Sequence, residues 1–189
     1  MTHGKDFWDN EKLAKILRRG GVVVMPTDTI YGLVGRAENK ETVERIYKIK
    51  GRAPDKPCII LAGEVSQIAK FGVILNEERK KFLRQAWAKP TSVILPCEDE
   101  AWEHLHRGTG TLAFRLPESP SLRKLLLSVG PLIAPSANPE GHPPAQDIKE
   151  AKKYFGKAVD LYIDAGPNRG LPSQVLQLHP SGAVYIIRE

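Results

Sequence analysis

Hydrophobic residues in this chain alternate between short unbroken runs and sparser stripes that recur every three or four positions. Runs bounded by Gly or Pro read as buried strands, and stripes read as helices with one face turned inward. Leu13, Ile16 and Leu17 predict a helix over 10–19, with Asp9 as N-cap and Gly20 as its stop. The run Val22-Val23-Val24-Met25 reads as a buried strand, and the stretch after it, Pro26 to Leu33, as a loop dense in hydroxyls. Asn39 caps a second helix marked by Val43, Ile46, Tyr47 and Lys50, which Gly51 ends. A strand over 57–61 and a short helix over 64–70 follow. A stronger helix starts at Asn76, with Glu77 and Glu78 near its positive end and Phe82, Leu83 and Trp87 as its buried stripe.

In the second half, 91–95 is a strand, and 98–106 fits one helical turn or two. Residues 111–115 form a strand whose alternation puts Thr111, Ala113 and Arg115 on one face. Ser119-Pro120 opens a helix, serine as cap and proline at the first position, that carries Leu122, Leu125, Leu126 and Val129 to Gly130. A strand over 132–134 leads into a loop with three prolines (139–146), then a helix from Asp147 to Gly156. Three late strands fall at 160–164, 174–178 and 183–187. No repeat, low-complexity tract or linker divides residues 1–189, so the chain reads as one α/β domain: a mixed sheet with flanking helices.

Composition narrows the classes. An apolar content of 41% and a mean hydropathy of −0.31 suit a globular domain. No apolar run approaches the roughly 20 residues a membrane span needs, so no membrane association is expected. Residues 1–6 have no apolar signal core behind them, and Cys58 and Cys97 lack metal-ligand spacing. Both points favour a reduced, cytoplasmic setting. The net charge of +6 favours anionic partners, although most basic residues are spaced along helices and no long basic block stands out.

Phosphate-binding signatures of the common nucleotide folds and the G-x-S-x-G elbow are both absent. His104 and His106 could ligate a metal, but with no third ligand in view a surface turn is the simpler reading. What remains is four loops that each follow a strand or helix and carry hydroxyls or cations: 27–31, 50–56, 136–138 and 166–173. Ordinary turn chemistry accounts for any one of them. Together with Arg115 on a strand face, they predict a cleft that binds a polyanion, with Lys50, Arg52 and Lys56 facing the hydroxyl-rich stretch across it.

PTDTIYGL at 26–33, KIKGR at 48–52 with Lys56-Pro57 downstream, the strand 111–115 and PSAN at 135–138 resemble the YrdC-like threonylcarbamoyl-AMP synthase family, in order and near its spacing. The resemblance runs from about Gly20 to Arg188. It implies a twisted YrdC/RibB-like α/β sheet around a large basic cleft, with no additional C-terminal domain. The implied enzyme is a nucleotidyltransferase that forms threonylcarbamoyl-AMP and pyrophosphate from L-threonine, bicarbonate and ATP, with Mg²⁺ accompanying the ATP. Its product would pass to downstream tRNA threonylcarbamoyl-transferase proteins. By the family's pattern Lys50 and Arg52 are catalytic. Arg52, Lys56, Thr111, Ser136, Asn138, Pro144 and Arg188 hold the nucleotide, and Thr29, Tyr31, Arg115, Ala134 and Ser173 hold threonine. For Tyr31, packing against its own loop is an equal alternative. Glu140, Pro144, Gln174, Leu61 and Lys89 depart from the family's usual residues.

Two other readings stand beside the enzyme. One is a non-catalytic module that binds double-stranded RNA, tRNA or ribosomes, motivated by the basic charge but without a stacked-aromatic or arginine-rich signature. The other is a domain that serves a different carbamoyl donor or acceptor.

Overall fold

The computed structural model describes residues 7–189; the reading of the first six residues lies outside that range. Its core is a mixed sheet in the order β7-β1-β2-β6-β3-β5-β4-β8-β9. The strands are β1 (Val23–Pro26), β2 (Tyr31–Arg36), β3 (Ile59–Leu61), β4 (Thr91–Pro96), β5 (Thr111–Arg115), β6 (Leu132–Ile133), β7 (Leu161–Tyr162), β8 (Gln174–Leu178) and β9 (Val184–Arg188). Parallel pairs (β1–β7, β3–β5, β4–β8) mix with antiparallel ones.

Strand β1 shows why helices cover both faces of this sheet. All four of its residues are buried, and successive side chains point to opposite sides. Val23 and Met25 join a cluster with Leu13 and Leu17 of α1 (Glu11–Arg18) and Leu122, Leu125 and Leu126 of α6 (Pro120–Val129). Val24 joins the larger cluster on the other face. That cluster takes Val43 and Ile46 from α2 (Lys40–Lys50), Ile68 from α3 (Ser66–Ala69), Leu83 from α4 (Glu77–Ala86), Leu105 from α5 (Glu103–His106), and Ala151 and Phe155 from α7 (Ile148–Phe155).

Helix ends follow side-chain capping. Asn10, Asn39, Asn76, Ser119 and Asp147 each accept the N–H three residues on. Asn10 therefore takes the role expected of Asp9. Gly51 ends α2 in the left-handed region, at φ 61°.

The stretch expected to be one loop is instead a turn followed by a strand. Residues 27–30 turn, and β2 returns antiparallel along β1, pairing Tyr31 with Pro26 and Val34 with Val23. Gly32 and Gly35 hide this strand from a propensity reading. Gly35 has a packing reason, since a Cβ there would run into Thr42 of α2. The ambiguous 98–106 region is a 3₁₀ turn (Glu100–Trp102) followed by α5. His104 and His106 do not act together. His104 Nε2 lies 3.1 Å from the Ala37 carbonyl, while His106 is buried and its Nδ1 accepts the Gly108 N–H. Among the described residues no helix is long and apolar enough to cross a membrane.

Candidate functional site

On the face where Thr111, Ala113 and Arg115 point, a cavity of about 460 Å³ opens beside β5. Its walls come from the β1–β2 turn (Thr27, Thr29, Ile30), the loop after α2 (Arg52, Pro57, Cys58), β5, the stretch after β6 (Ala134, Pro135, Ser136), Pro144, and the β8–β9 hairpin with its approach (Pro172, Ser173, Val175, Arg188). Ile59, Ile94, Ala113 and Val175 give the cavity apolar patches. Of these only Ala113 was expected there; Ile59, Ile94 and Val175 carry the same local pattern as core residues. The expected face of β5 is correct, and all three of its residues line the cavity.

Nine of the proposed site residues meet here: Thr29, Arg52, Thr111, Arg115, Ala134, Ser136, Pro144, Ser173 and Arg188. Lys50, Lys56, Asn138 and Tyr31 do not line the cavity, and each is engaged elsewhere. The Lys50 ammonium donates to Asn138 O at 2.6 Å, Ser136 O at 2.8 Å and Asn138 Oδ1 at 3.2 Å. It thereby straps the end of α2 to the loop after β6. Burial lowers its pKa to about 8, with the Arg52 charge adding to the fall. The Asn138 amide donates to Pro139 O and His142 O, so this residue braces its own loop. Tyr31 is fully buried; its hydroxyl accepts the Ala165 N–H and donates to Gly166 O. Tyr31 thus ties β2 to the loop at 165–166 rather than to its own turn.

Lys56 meets Glu140, one of the residues that depart from the family pattern. Its Nζ lies 2.6 Å from Glu140 Oε1, and Glu140 Oε2 accepts the Ala53 N–H at 2.6 Å. The backbone N–H of Glu140 donates to Lys50 O. The hydrogen bond from Lys56 and that from Ala53 hold the Glu140 carboxyl below its ordinary range.

Three guanidinium groups remain around the cavity. Arg52 donates through Nε to Lys56 O and through Nη2 to Pro57 O, both at 2.9 Å, which shapes the 52–57 loop. Arg188 donates from Nη2 to Ser173 O at 2.7 Å, and Ser173 Oγ is 2.8 Å from Ser92 Oγ. The β8–β9 hairpin is thus tied to β4. Arg115, with its side chain 6% exposed, donates from Nη2 to Asp28 Oδ1 at 2.8 Å. Burial lowers its pKa and Asp28 opposes that fall. Three cations, hydroxyls at Thr29, Thr111, Ser136 and Ser173, and partial enclosure suit a small ligand with several anionic oxygens.

Known proteins agree with that chemistry. The family model for Sua5, YciO and YrdC, described as telomere recombination, matches residues 15–189. The chain is similar to a threonylcarbamoyl-AMP synthase of Bacillus subtilis, 33% identical over 166 residues, covering 86% of this chain and 48% of that protein. It is 32% identical over 148 residues to a threonylcarbamoyl-AMP synthase of Halorhodospira halophila, covering 78% of each. Among solved structures, Pyrococcus abyssi Sua5 complexed with L-threonine superposes with a TM-score of 0.81 at 32% identity, over 91% of this chain and 51% of that one. The chain thus spans about half the length of the Bacillus and Pyrococcus proteins.

Proposed function

The chain belongs to the Sua5/YciO/YrdC family, and we propose that it is an L-threonylcarbamoyl-AMP synthase whose product supplies the threonylcarbamoyl group of modified adenosine in tRNA. The observation that carries this reading is the convergence of Arg52, Arg115 and Arg188 with six hydroxyl side chains on one cavity. L-threonine in the Pyrococcus Sua5 complex supports the amino-acid half of it.

In the proposed reaction, threonine and bicarbonate give a carbamate and water. A carbamate oxygen then bonds to the α-phosphorus of ATP, and the bond from that phosphorus to the bridging oxygen breaks as pyrophosphate leaves. Two anions must meet, and charge grows on the leaving group. The protein's work is therefore positioning and charge compensation. Arg52 and Arg188 are assigned to the nucleotide, with Thr111, Ser136 and the Pro144 carbonyl, and Arg115 to the threonine carboxylate beside Thr29, Ala134 and Ser173. Lys50 and Asn138, first expected to contact substrate, are assigned here to holding the Ser136 loop, because the Lys50 ammonium is bonded to Ser136 O and Asn138. Magnesium is taken to arrive with ATP as part of the substrate. Among the described residues no group of three or more His, Cys, Asp or Glu gathers into a metal cage.

The test is release of pyrophosphate from MgATP with bicarbonate, with and without L-threonine. Threonine-dependent release, much weaker with serine, is the expected result. ATP binding without any threonine-dependent release would overturn the assignment.

A further inference from the structure

Asp28 has no assigned role, yet it shares a buried ion pair with Arg115, and that pair is half used. A guanidinium and a carboxylate meeting fork to fork form two parallel hydrogen bonds. Here a single one is made, from Arg115 Nη2 to Asp28 Oδ1, with both side chains 6% exposed. Arg115 Nε and Asp28 Oδ2 are both buried and have no hydrogen-bond partner. Buried polar groups are nearly always satisfied. One unmatched donor and one unmatched acceptor on the same pair, beside a cavity, therefore describe a ligand with an acceptor and a donor close together.

The surroundings agree. Arg115 lines the main cavity, and Asp28 lines a neighbouring one of about 530 Å³. Thr29 and Pro172 line both, so the pair belongs to the partition between the two. The 166–173 loop lies hard against that partition. A Cβ at Gly170 would overlap the Thr29 carbonyl oxygen, and Leu171 beside it is 82% exposed. The close packing of Gly170 on Thr29 puts this loop beside the wall that holds the pair.

We infer that Asp28 is a substrate-binding residue that accepts a hydrogen bond from the α-amino group of the bound amino acid, while Arg115 takes its carboxylate. Together they read both charged ends of a zwitterion. This rests on the reading of the cavity as a threonine site and adds the amine to it. Once the nitrogen is a carbamate it keeps one N–H, so the same contact holds the nucleophile through the next step. An uncharged amide at Asp28 would still accept from Arg115, but would offer the amine no counter-charge.

Binding of L-threonine and of 3-hydroxybutyrate, which is threonine without its amine, distinguishes the outcomes by calorimetry. Wild-type protein should prefer threonine by about tenfold or more, the equivalent of one hydrogen bond to a charged group. Asp28→Asn should lose most of that preference, whatever its effect on the carboxylate contact shared by both ligands, with ATP affinity within about twofold of wild type. Equal wild-type affinity for the two ligands would overturn the inference without any variant. So would a variant that weakens both equally, which is what a merely structural role gives. If wild-type protein binds neither ligand, the threonine site itself is wrong and the inference falls with it.

Discussion

Raising the pH from 7 to 10 in wild-type protein and in a Lys50→Met variant isolates the cost of burying one ammonium group. Lys50 is 3% exposed, and burial lowers its pKa from 10.5 to about 8. Below pH 8 the lysine is protonated in both folded and unfolded chains, so the folded state carries the full cost. Between about pH 8 and 10.5 the folded state has shed the proton and the unfolded state still holds it. The unfolded state then binds more protons, and stability rises with pH. At about 1.4 kcal/mol per pH unit, that window amounts to about 3 kcal/mol. The methionine variant lacks this gain. At pH 7 its own balance is close, because relief of the burial cost opposes the loss of partners for Asn138 O and Oδ1, at about 1–3 kcal/mol each. Ser136 O is spared, since it keeps the Asn138 N–H. Urea unfolding at each pH, followed by tryptophan fluorescence, should show wild type gaining about 3 kcal/mol on the variant across the interval. Parallel profiles would refute the reasoning, and would mean that the oxygens around Nζ outweigh burial and keep the ammonium charged.

Other expectations follow from single contacts. Glu140→Gln frees Lys56 from its carboxylate, and titration should show ATP affinity rising about two- to fivefold; unchanged or weaker binding would mean that Glu140 does not compete with phosphate. Gly170→Ala pushes the 166–173 loop off Thr29, so the KM for threonine should rise about tenfold while the melting temperature moves by only a few degrees. An unchanged KM would dissociate that loop from the threonine site. Gly35→Ala forces a methyl group into Thr42 and should cost about 1–3 kcal/mol in urea unfolding, with ligand binding intact.

What was legible in the sequence was local. Strand alternation placed Thr111, Ala113 and Arg115 on one face, and the four loops named their hydroxyls and cations. What escaped was decided across long stretches of chain. Lys50 stands at the end of a helix, where nothing local says that its ammonium is consumed by carbonyls 86 and 88 positions away. Asp28 was visible as one carboxylate in a loop, but its partner lies 87 positions on. Strand β2 was hidden by its glycines, of which Gly35 makes room for Thr42 and Ile46 of α2.

The sheet order also bears on how the protein is made. The Val22 N–H waits for the Asp160 carboxylate, 138 positions later, and β1 and β4 take parallel partners that appear only near the end of the chain. Pairings this distant carry a large loop-closure cost and form late. Pro172, Ser173, Val175 and Arg188 belong to the same late segment, so the cavity is completed only when β8 and β9 dock. A released chain cut short within α7 therefore has β1 and β4 as bare edges, open to pairing with other chains, and its ligand cannot help to hold it folded.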